Sequence, residues 1–145
     1  MDKEPISIIS NEFPRVAISL IESARESIDI IVFDWRFYND DPANSVSQFN
    51  HAIYTAVKRG VSVRCLVNSE SVIDNLKKMG CYAKCLYSKK LLHTKLLIVD
   101  KRRIILGSHN YTQQAFCSNH ELSVGFVLDN CENNFIKYFN NLFGL

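Results

Sequence analysis

A chain of 145 residues that is 47% hydrophobic, with five glycines and three prolines, is too apolar for a disordered protein and lacks a collagen-like composition. No apolar run reaches the ~20 residues that a membrane-spanning helix needs, and the acidic stretch Met1–Pro5 lacks the basic region of a signal peptide. These features predict one globular domain over residues 1–145, cytoplasmic and without stable membrane insertion.

The net charge of +2 is unevenly distributed along the chain. The segment Lys77–Arg103 contains nine basic residues and one acid, Asp100, for a net charge of +8, and the rest of the chain carries −6. Clustered lysine and arginine attract the phosphate backbone of nucleic acid, although lysines also simply solvate turns. Nucleic acid is therefore a candidate partner, and solvated turns are the alternative interpretation.

The first part of the chain alternates between strand and helix patterns. An edge strand at Ile6–Ile9 precedes a helix that ends near Arg25, and the β-branched run Ile28–Phe33 predicts a central strand covered on both faces. Apolar residues then have helical spacing in two segments, each followed by a strand pattern. The helices are Ser45–Arg59 and Ser69–Met79, and the strands are Val61–Val67 and Tyr82–Leu86.

Polar and aromatic residues follow the predicted central strand. In α/β sheets the ligand crevice lies beyond the carboxyl ends of the strands, so Asp34, Trp35 and Arg36 are candidates for its wall. The alternative is that Trp35 and Phe37 only pack against the edge of the sheet, since large aromatic residues usually serve packing.

A hairpin dominates the rest of the chain. Leu91–Val99 is a predicted strand, Asp100–Arg103 a turn, and Ile104–Leu106 its antiparallel partner. An irregular stretch, a strand at Glu121–Leu128 and a helix at Cys131–Phe143 follow. The predicted fold class is α/β: an α/β/α sandwich with a mixed, mostly parallel sheet that contains an antiparallel hairpin, and with helices on both faces.

The hairpin carries the candidate chemistry. On a strand, His93 and Lys95 would point the same way with their Cα atoms about 6.5–7 Å apart, so they could bind one substrate group. Gly107 would permit close approach of the backbone to a ligand, and Ser108 and Asn110 would supply hydrogen-bonding groups. Together with Lys95 they predict an oxyanion site, which phosphoryl transfer requires because charge spreads over the non-bridging oxygens.

This pattern of residues resembles the signature of the phospholipase D superfamily. The signature is HxKxxxxD followed by GSxN, and its six defined positions are filled by His93, Lys95, Asp100, Gly107, Ser108 and Asn110. Because the order of helices and strands also agrees, the resemblance covers most of the chain.

The resemblance implies a role for each residue. His93 would be the nucleophile that forms a phosphohistidine, and Lys95, Ser108 and Asn110 would bind the phosphate. Glu121 would orient the nucleophilic imidazole, in agreement with the general use of a carboxylate to fix a histidine tautomer. Gly107 and Asp100 are structural members of the motif, and for Asp100 we expect an ion pair or a role in the hairpin.

The chain has one copy of the signature, whereas the family's mechanism uses two histidines, a nucleophile and a general acid. The resemblance therefore implies a homodimer in which two copies of His93 meet, as in the small single-motif nucleases of this superfamily. We expect no cofactor and no metal. Zinc binding by His109, Cys117 and His120 is the alternative, but their spacing matches no usual site and a fourth ligand is missing.

The leading functional prediction is a metal-independent phosphodiesterase, specifically an endonuclease that cleaves DNA or RNA through a phosphohistidine intermediate. One alternative is a phospholipase that acts on phosphatidyl lipids. The other is a nucleic-acid-binding module without catalytic activity, since a fold does not guarantee a function.

Overall fold

A computed structural model describes residues 4–86 and 88–145, so the acidic N-terminus interpreted above lies largely outside the described residues. The strands are β1 Ile6–Ile9, β2 Ser27–Val32, β3 Ser62–Val67, β4 Tyr82–Cys85, β5 Leu96–Val99, β6 Arg103–Gly107 and β7 Leu122–Val127. The α-helices are α1 Phe13–Glu22, α2 Ser45–Lys58, α3 Glu70–Lys78, α4 Gln113–Cys117 and α5 Asn134–Phe143, and a short 3-10 helix, Ser10–Glu12, follows β1.

The strands form one seven-stranded sheet in the order β1-β7-β6-β5-β2-β3-β4. The β2–β3 and β3–β4 pairs are parallel, and the other four pairs are antiparallel. The predicted mixed α/β sheet is confirmed, but the prediction that it is mostly parallel is wrong. Only the parallel neighbours β2, β3 and β4 follow one another through crossover helices, α2 and α3, whereas β5, β6 and β7 are paired antiparallel in sequence order.

Helices cover both faces of the sheet, as predicted. Side chains of a strand alternate between faces, so Ile30 of β2 lies in the cluster with α1 to α4, whereas Ile31 lies in the cluster with α5. Ile136 and Phe139 are the buried residues that attach α5 to this second face. The predicted irregular stretch before β7 contains α4, whose first turn is capped by the side chain of Thr112.

A bridge from β3 helps to hold α5 on the sheet. The Arg64 guanidinium lies 2.6 Å from Oδ1 of the buried Asp29 and 4.7 Å above the ring of Phe139. It also donates a hydrogen bond to Asn140. Burial raises the pKa of Asp29, although the hydrogen bond and charge of Arg64 act in the opposite direction. The ion pair thus connects the interior of the sheet to the exposed side of α5.

The segment that precedes β5 crosses the end of the sheet. Because β4 is an edge strand and β5 adjoins β2, the chain between them must pass the ends of β3 and β2. Leu92 is buried in the α5 cluster, whereas Leu91 is 67% exposed. The predicted start of the strand at Leu91 is therefore wrong, and His93 and Lys95 lie on this crossing segment rather than on β5.

Asp100 joins the β5–β6 turn to the loop between α1 and β2. Its carboxylate accepts hydrogen bonds from three consecutive backbone N–H groups, Arg25, Glu26 and Ser27, at 2.8–3.2 Å, and from the Arg103 side chain at 2.6 Å. Burial raises the pKa of Asp100, but these hydrogen bonds outweigh it and the net pKa is lowered. Its left-handed φ of 52° is a conformation that aspartate tolerates better than most residues.

Within the described ranges, no helix is both long and apolar enough to span a membrane. All five cysteines are free, which is consistent with an odd cysteine count and no CxxC spacing.

We predict that Asp100→Ala lowers the free energy of unfolding by about 2–4 kcal/mol, because it leaves three N–H groups and a guanidinium without their acceptor. The folded-state pKa of Asp100 is lowered, so the charged carboxylate stabilises the fold fully above the unfolded-state pKa of about 4. This stabilisation is lost as the pH falls from that value through the folded-state pKa. Urea unfolding at about pH 7 and about pH 3.5 measures both effects. Asp100→Asn, which keeps the size of the side chain, should also lose this pH dependence. An equal loss of stability for Asp100→Ala at both pH values would contradict the role of the charge.

Candidate active site

The predicted site residues converge at one edge of the sheet. Strands β2 and β6 end at this edge and strands β5 and β7 begin there, since Leu96 is paired with both Ile31 and Leu106. The segment with His93 and Lys95 therefore arrives beside the Gly107–Asn110 segment and Glu121. Asp100 lies at the opposite end of the hairpin and does not contribute to this edge.

His93 and Lys95 are in direct contact. The Lys95 ammonium lies 3.2 Å from both imidazole nitrogens and donates a hydrogen bond to the His93 carbonyl oxygen at 2.9 Å. Phe33, at the end of β2, packs against both residues, with its ring centroid 4.9 Å from the imidazole and 5.4 Å from Nζ. Burial lowers the pKa of Lys95, although the charge of Glu121 acts in the opposite direction. A partly desolvated ammonium beside an exposed imidazole is suited to bind an anion.

Sequence reasoning missed Phe33 as a site residue. It treated Phe33 as the last apolar residue of the central strand and assigned the crevice wall to the three residues after it. The position at the carboxyl end of a central strand was the signal that could have identified it.

Ser108 and Glu121 are joined by a short hydrogen bond. Ser108 Oγ donates to Glu121 Oε1 at 2.5 Å and accepts from the backbone N–H of Leu122 at 3.0 Å. Asn119, which sequence reasoning did not select, donates to Glu121 Oε2 at 3.0 Å. Across the described residues no hydrogen bond links Glu121 to His93, so the orientation of the imidazole by this carboxylate stays a prediction.

Asn110 has its amide fixed by β2. Its Oδ1 accepts a hydrogen bond from the backbone N–H of Asp34 at 3.0 Å, so its NH₂ group is the one that can donate to an anion. We call Lys95, Ser108 and Asn110 the cradle. These residues bring one ammonium, one hydroxyl and one amide to the same edge of the sheet.

The three candidates for the crevice wall have different environments. Trp35 is buried and donates from Nε1 to Asn50 Oδ1 at 2.7 Å, so it is a packing residue, in line with the alternative interpretation. Asp34 and the exposed Arg36 form an ion pair at 2.8 Å. All three candidates, together with Phe33, line a cleft of about 410 Å³.

Gly107 is required by a close approach within the protein. A Cβ atom at this position would collide with the backbone and hydroxyl of Ser123 and with the carbonyl oxygen of Leu122. The close approach that the structure shows at Gly107 is to β7, next to the Ser108–Glu121 contact, and the predicted approach to a ligand stays a prediction.

His109 is a buried part of the scaffold. Its Nε2 donates to the Ser10 carbonyl oxygen at 2.8 Å, so Nδ1 of the neutral ring accepts from Ser123 Oγ at 2.7 Å. Its ring stacks on Phe13 at 4.4 Å, and burial lowers the pKa of the imidazole. Ser10 Oγ in turn accepts from the Glu121 backbone N–H at 3.2 Å, so this histidine supports the segment that carries Glu121.

The three residues considered for zinc do not form a site. His109 uses both ring nitrogens inside the protein, and Cys117 and His120 are exposed. Within residues 4–86 and 88–145, no group of three or more His, Cys, Asp and Glu side chains is placed to hold a metal ion.

The basic segment is divided between several places. Lys77 and Lys78 lie in the last turn of α3, Lys101 and Arg102 lie in the β5–β6 turn, and Arg103 begins β6, all at the end of the sheet opposite the site. Lys84 binds the carbonyl oxygen of Phe143 at the end of α5. The exposed residues Lys89 and Lys90 are on the crossing segment with Lys95. Of the basic residues in Lys77–Arg103, all of which the structure describes, Lys89, Lys90 and Lys95 therefore belong to the edge that carries the site.

A cleft of about 630 Å³ opens from the cradle towards α5, and we call it the α5 cleft. One wall contains His93, Lys95 and Ser108, and the other belongs to α5. The remaining lining residues are mostly apolar: Thr94, Leu96, Leu106, Gly107, Asn134, Phe135 and Tyr138. The size is within the range of about 300–1,000 Å³ that is usual for ligand sites.

Comparisons with known proteins show which family the chain resembles. A family described as "cardiolipin synthase, PLD-like domain" matches residues 17–143. The human mitochondrial cardiolipin hydrolase is 33% identical over 105 residues, which cover 68% of this chain and 38% of that protein. The human 5′-3′ exonuclease PLD3 is 28% identical over 130 residues, which cover 79% of this chain and 26% of that protein. The chain thus spans well under half the length of these relatives.

The fold matches a solved structure over nearly the whole chain. Nuc, a phospholipase D family member from Salmonella typhimurium, superimposes with a TM-score of 0.79 at 20% identity. The match covers 97% of this chain and 95% of Nuc.

We predict that Gly107→Ala destabilises the protein by about 1–3 kcal/mol, because the added Cβ forces β6 and β7 apart. Gly144→Ala is the control, since a Cβ at that position makes only ordinary or slightly tight contacts near the end of the chain, and it should stay within about 0.5 kcal/mol of the parent protein. Thermal unfolding measures both. Equal stability of the two variants would show that the β6–β7 approach can relax without cost.

Proposed function

The chain belongs to the phospholipase D superfamily, and from this premise we propose that it is a phosphodiesterase that cleaves nucleic acid as an endonuclease. The observation that carries the proposal is the convergence of His93 with the cradle at one edge of the sheet. A binding module would not need an exposed imidazole in contact with the lysine of an anion site. We propose that residues 1–145 act as one catalytic domain.

The proposed reaction has two displacements at phosphorus. A nitrogen of His93 attacks the phosphorus atom, and Lys95, Ser108 and Asn110 donate to its non-bridging oxygens. The leaving oxygen takes a proton from a second histidine. That histidine then removes a proton from water, which attacks the phosphohistidine and releases free His93 and a product that ends in a phosphomonoester.

The Ser108–Glu121 bond connects the cradle to the carboxylate. Because Ser108 Oγ donates to Glu121 in the free site, it must redirect this proton when it binds a phosphate oxygen. Glu121 Oε1 is then free to accept from an imidazole N–H, which is the proposed orienting role. Asn119 holds the other carboxylate oxygen and keeps Glu121 at this edge.

The second histidine would come from a second copy of the chain. An exposed apolar patch supports this proposal: Ile9 and Leu122 are directly paired on β1 and β7 and are 52% and 61% exposed. Leu122 directly follows Glu121, so a partner that covers this patch would lie beside the site. The partner subunit's His93 would then face His93 across a two-fold axis.

A phospholipase is the second candidate function. The apolar lining of the α5 cleft is the observation in its favour, because acyl chains bury best against apolar side chains. The names of the two reported relatives correspond to these two candidate substrates, since one is named a cardiolipin hydrolase and the other an exonuclease.

We predict that His93→Ala lowers kcat on single-stranded oligonucleotides by about a thousandfold or more but leaves binding nearly unchanged, because it removes the nucleophile and retains the cradle. Cleavage assays in EDTA and fluorescence anisotropy measure the two quantities, and activity of the parent protein should survive EDTA. The control is His51→Ala, since His51 is exposed on α2 away from this edge.

Retained cleavage by His93→Ala would contradict the mechanism. Hydrolysis of phosphatidyl lipid vesicles without any cleavage of DNA or RNA, at equal enzyme concentration, would replace the nuclease by the phospholipase.

We predict that Leu122→Lys produces a monomer with at least about tenfold lower activity, because a charge in the centre of the proposed interface must be desolvated or excluded. Sedimentation velocity and cleavage assays on the same samples test both parts. Tyr82→Lys is the matched control, since Tyr82 is 65% exposed on the opposite edge strand. If either the Leu122→Lys or the Tyr82→Lys protein is monomeric and fully active, the shared site is contradicted.

A further inference from the structure

The α5 cleft is continuous with the cradle. Because His93, Lys95 and Ser108 form its inner wall, a phosphodiester held by the cradle directs one of its ester substituents into the cleft. The occupant is therefore the group next to the phosphate, and its chemistry can be judged from the outer wall.

The outer wall combines aromatic faces with hydrogen-bonding groups. Phe135 is half-buried, and Tyr138 is 43% exposed. The Tyr138 hydroxyl and Thr94 Oγ1 are 2.6 Å apart, so the ring is tied to the segment that carries His93. Asn134 is exposed and adds an amide to the same wall. A ring held in place at an open cleft offers a flat apolar face, with polar groups around its rim.

This combination fits a nucleobase better than an acyl chain. A base has an apolar face that stacks on an aromatic ring and polar edges that need hydrogen-bonding partners, whereas an acyl chain has no use for the hydroxyl and amide groups. We propose that the α5 cleft is a nucleobase subsite in which the base next to the bound phosphate stacks on Tyr138. This inference rests on the proposed nuclease function and names the part of the substrate that gives affinity beyond the phosphate.

The subsite should not discriminate strongly between bases. Stacking is available to every base, and the hydroxyl and amide groups at the rim can serve as donors or as acceptors. A duplex does not offer its bases in this way, because they are already stacked and paired. The subsite therefore selects single-stranded nucleic acid.

Binding to single strands with and without bases tests this inference. The probes are a fluorescein-labelled single-stranded DNA and a strand of equal length made of abasic sites, both measured with the His93→Ala protein by anisotropy. We expect Tyr138→Ala to weaken binding of the DNA by about 5- to 100-fold and to bring the affinities for the two strands close together. Tyr138→Phe, which keeps the ring and loses the bond to Thr94, should retain most of the preference for bases.

Two controls exclude a general or a structural effect. Tyr82→Ala removes an exposed tyrosine on the opposite edge and should leave the affinity for DNA unchanged. If Tyr138→Ala weakens binding of the DNA and of the abasic strand equally, the residue only positions the His93 segment, and this result would overturn the subsite. An equal loss of DNA affinity in Tyr138→Phe and Tyr138→Ala would also overturn the subsite.

Other occupants of the cleft give different results. If Tyr138→Ala impairs hydrolysis of cardiolipin vesicles and leaves DNA binding intact, the cleft holds acyl chains. If it converts a dimer to a monomer in sedimentation velocity, a second copy of the chain fills the cleft. Either result overturns the subsite. Base-dependent binding without any cleavage by the parent protein would refute the nuclease proposal and leave the nucleobase subsite in place.

Discussion

The pairing of β5 with β2 is the constraint on which the site depends. Because β5 runs antiparallel to β2 and begins beside its end, the residues just before β5 must lie next to Phe33. The far end of this pair is fastened by Asp100, which binds three backbone N–H groups of the loop before β2. Asp100 thus acts on the site from the opposite end of the sheet, since it fixes the position of the strand that begins beside His93.

The site itself is held by hydrogen bonds between its own groups. Lys95 contacts His93, and Ser108 donates to Glu121, so two of the three cradle residues that would bind a phosphate already have partners in the free protein. Binding of an anion must therefore exchange these partners rather than fill an empty space. The desolvation that lowers the pKa of Lys95 favours this exchange, because an anion stabilises a partly desolvated ammonium through its opposite charge.

The sequence predicted the mixed α/β sheet and its two helical faces, but not the direction of most of its strands. The signature selected His93, Lys95, Ser108 and Asn110, which the fold brings to one edge of the sheet, and their catalytic roles stay a prediction. The hairpin turn predicted the antiparallel pairing of β5 with β6, but a strand buried on both faces has the same apolar pattern in either direction, so the direction of β5 relative to β2 was not encoded locally. The crossing segment was assigned to the strand because Leu91 and Leu92 precede the apolar residues Leu96–Val99 with only His93, Thr94 and Lys95 between them. His109 and Ser10 were not recognised because their contact joins residues almost a hundred positions apart.

In the proposed dimer, two-fold symmetry gives one phosphodiester two α5 clefts, one from each copy. A nucleic acid strand has direction, so the nucleosides on the two sides of the scissile phosphate enter equivalent clefts in opposite orientations. A cleft that recognised one edge of a base through fixed hydrogen bonds could fit only one of these two nucleosides well. Stacking on an aromatic ring has no such direction, because either orientation offers the same face. The symmetry of a site shared by two identical chains therefore favours a wall such as that of Tyr138 and Phe135 over a set of base-specific donors.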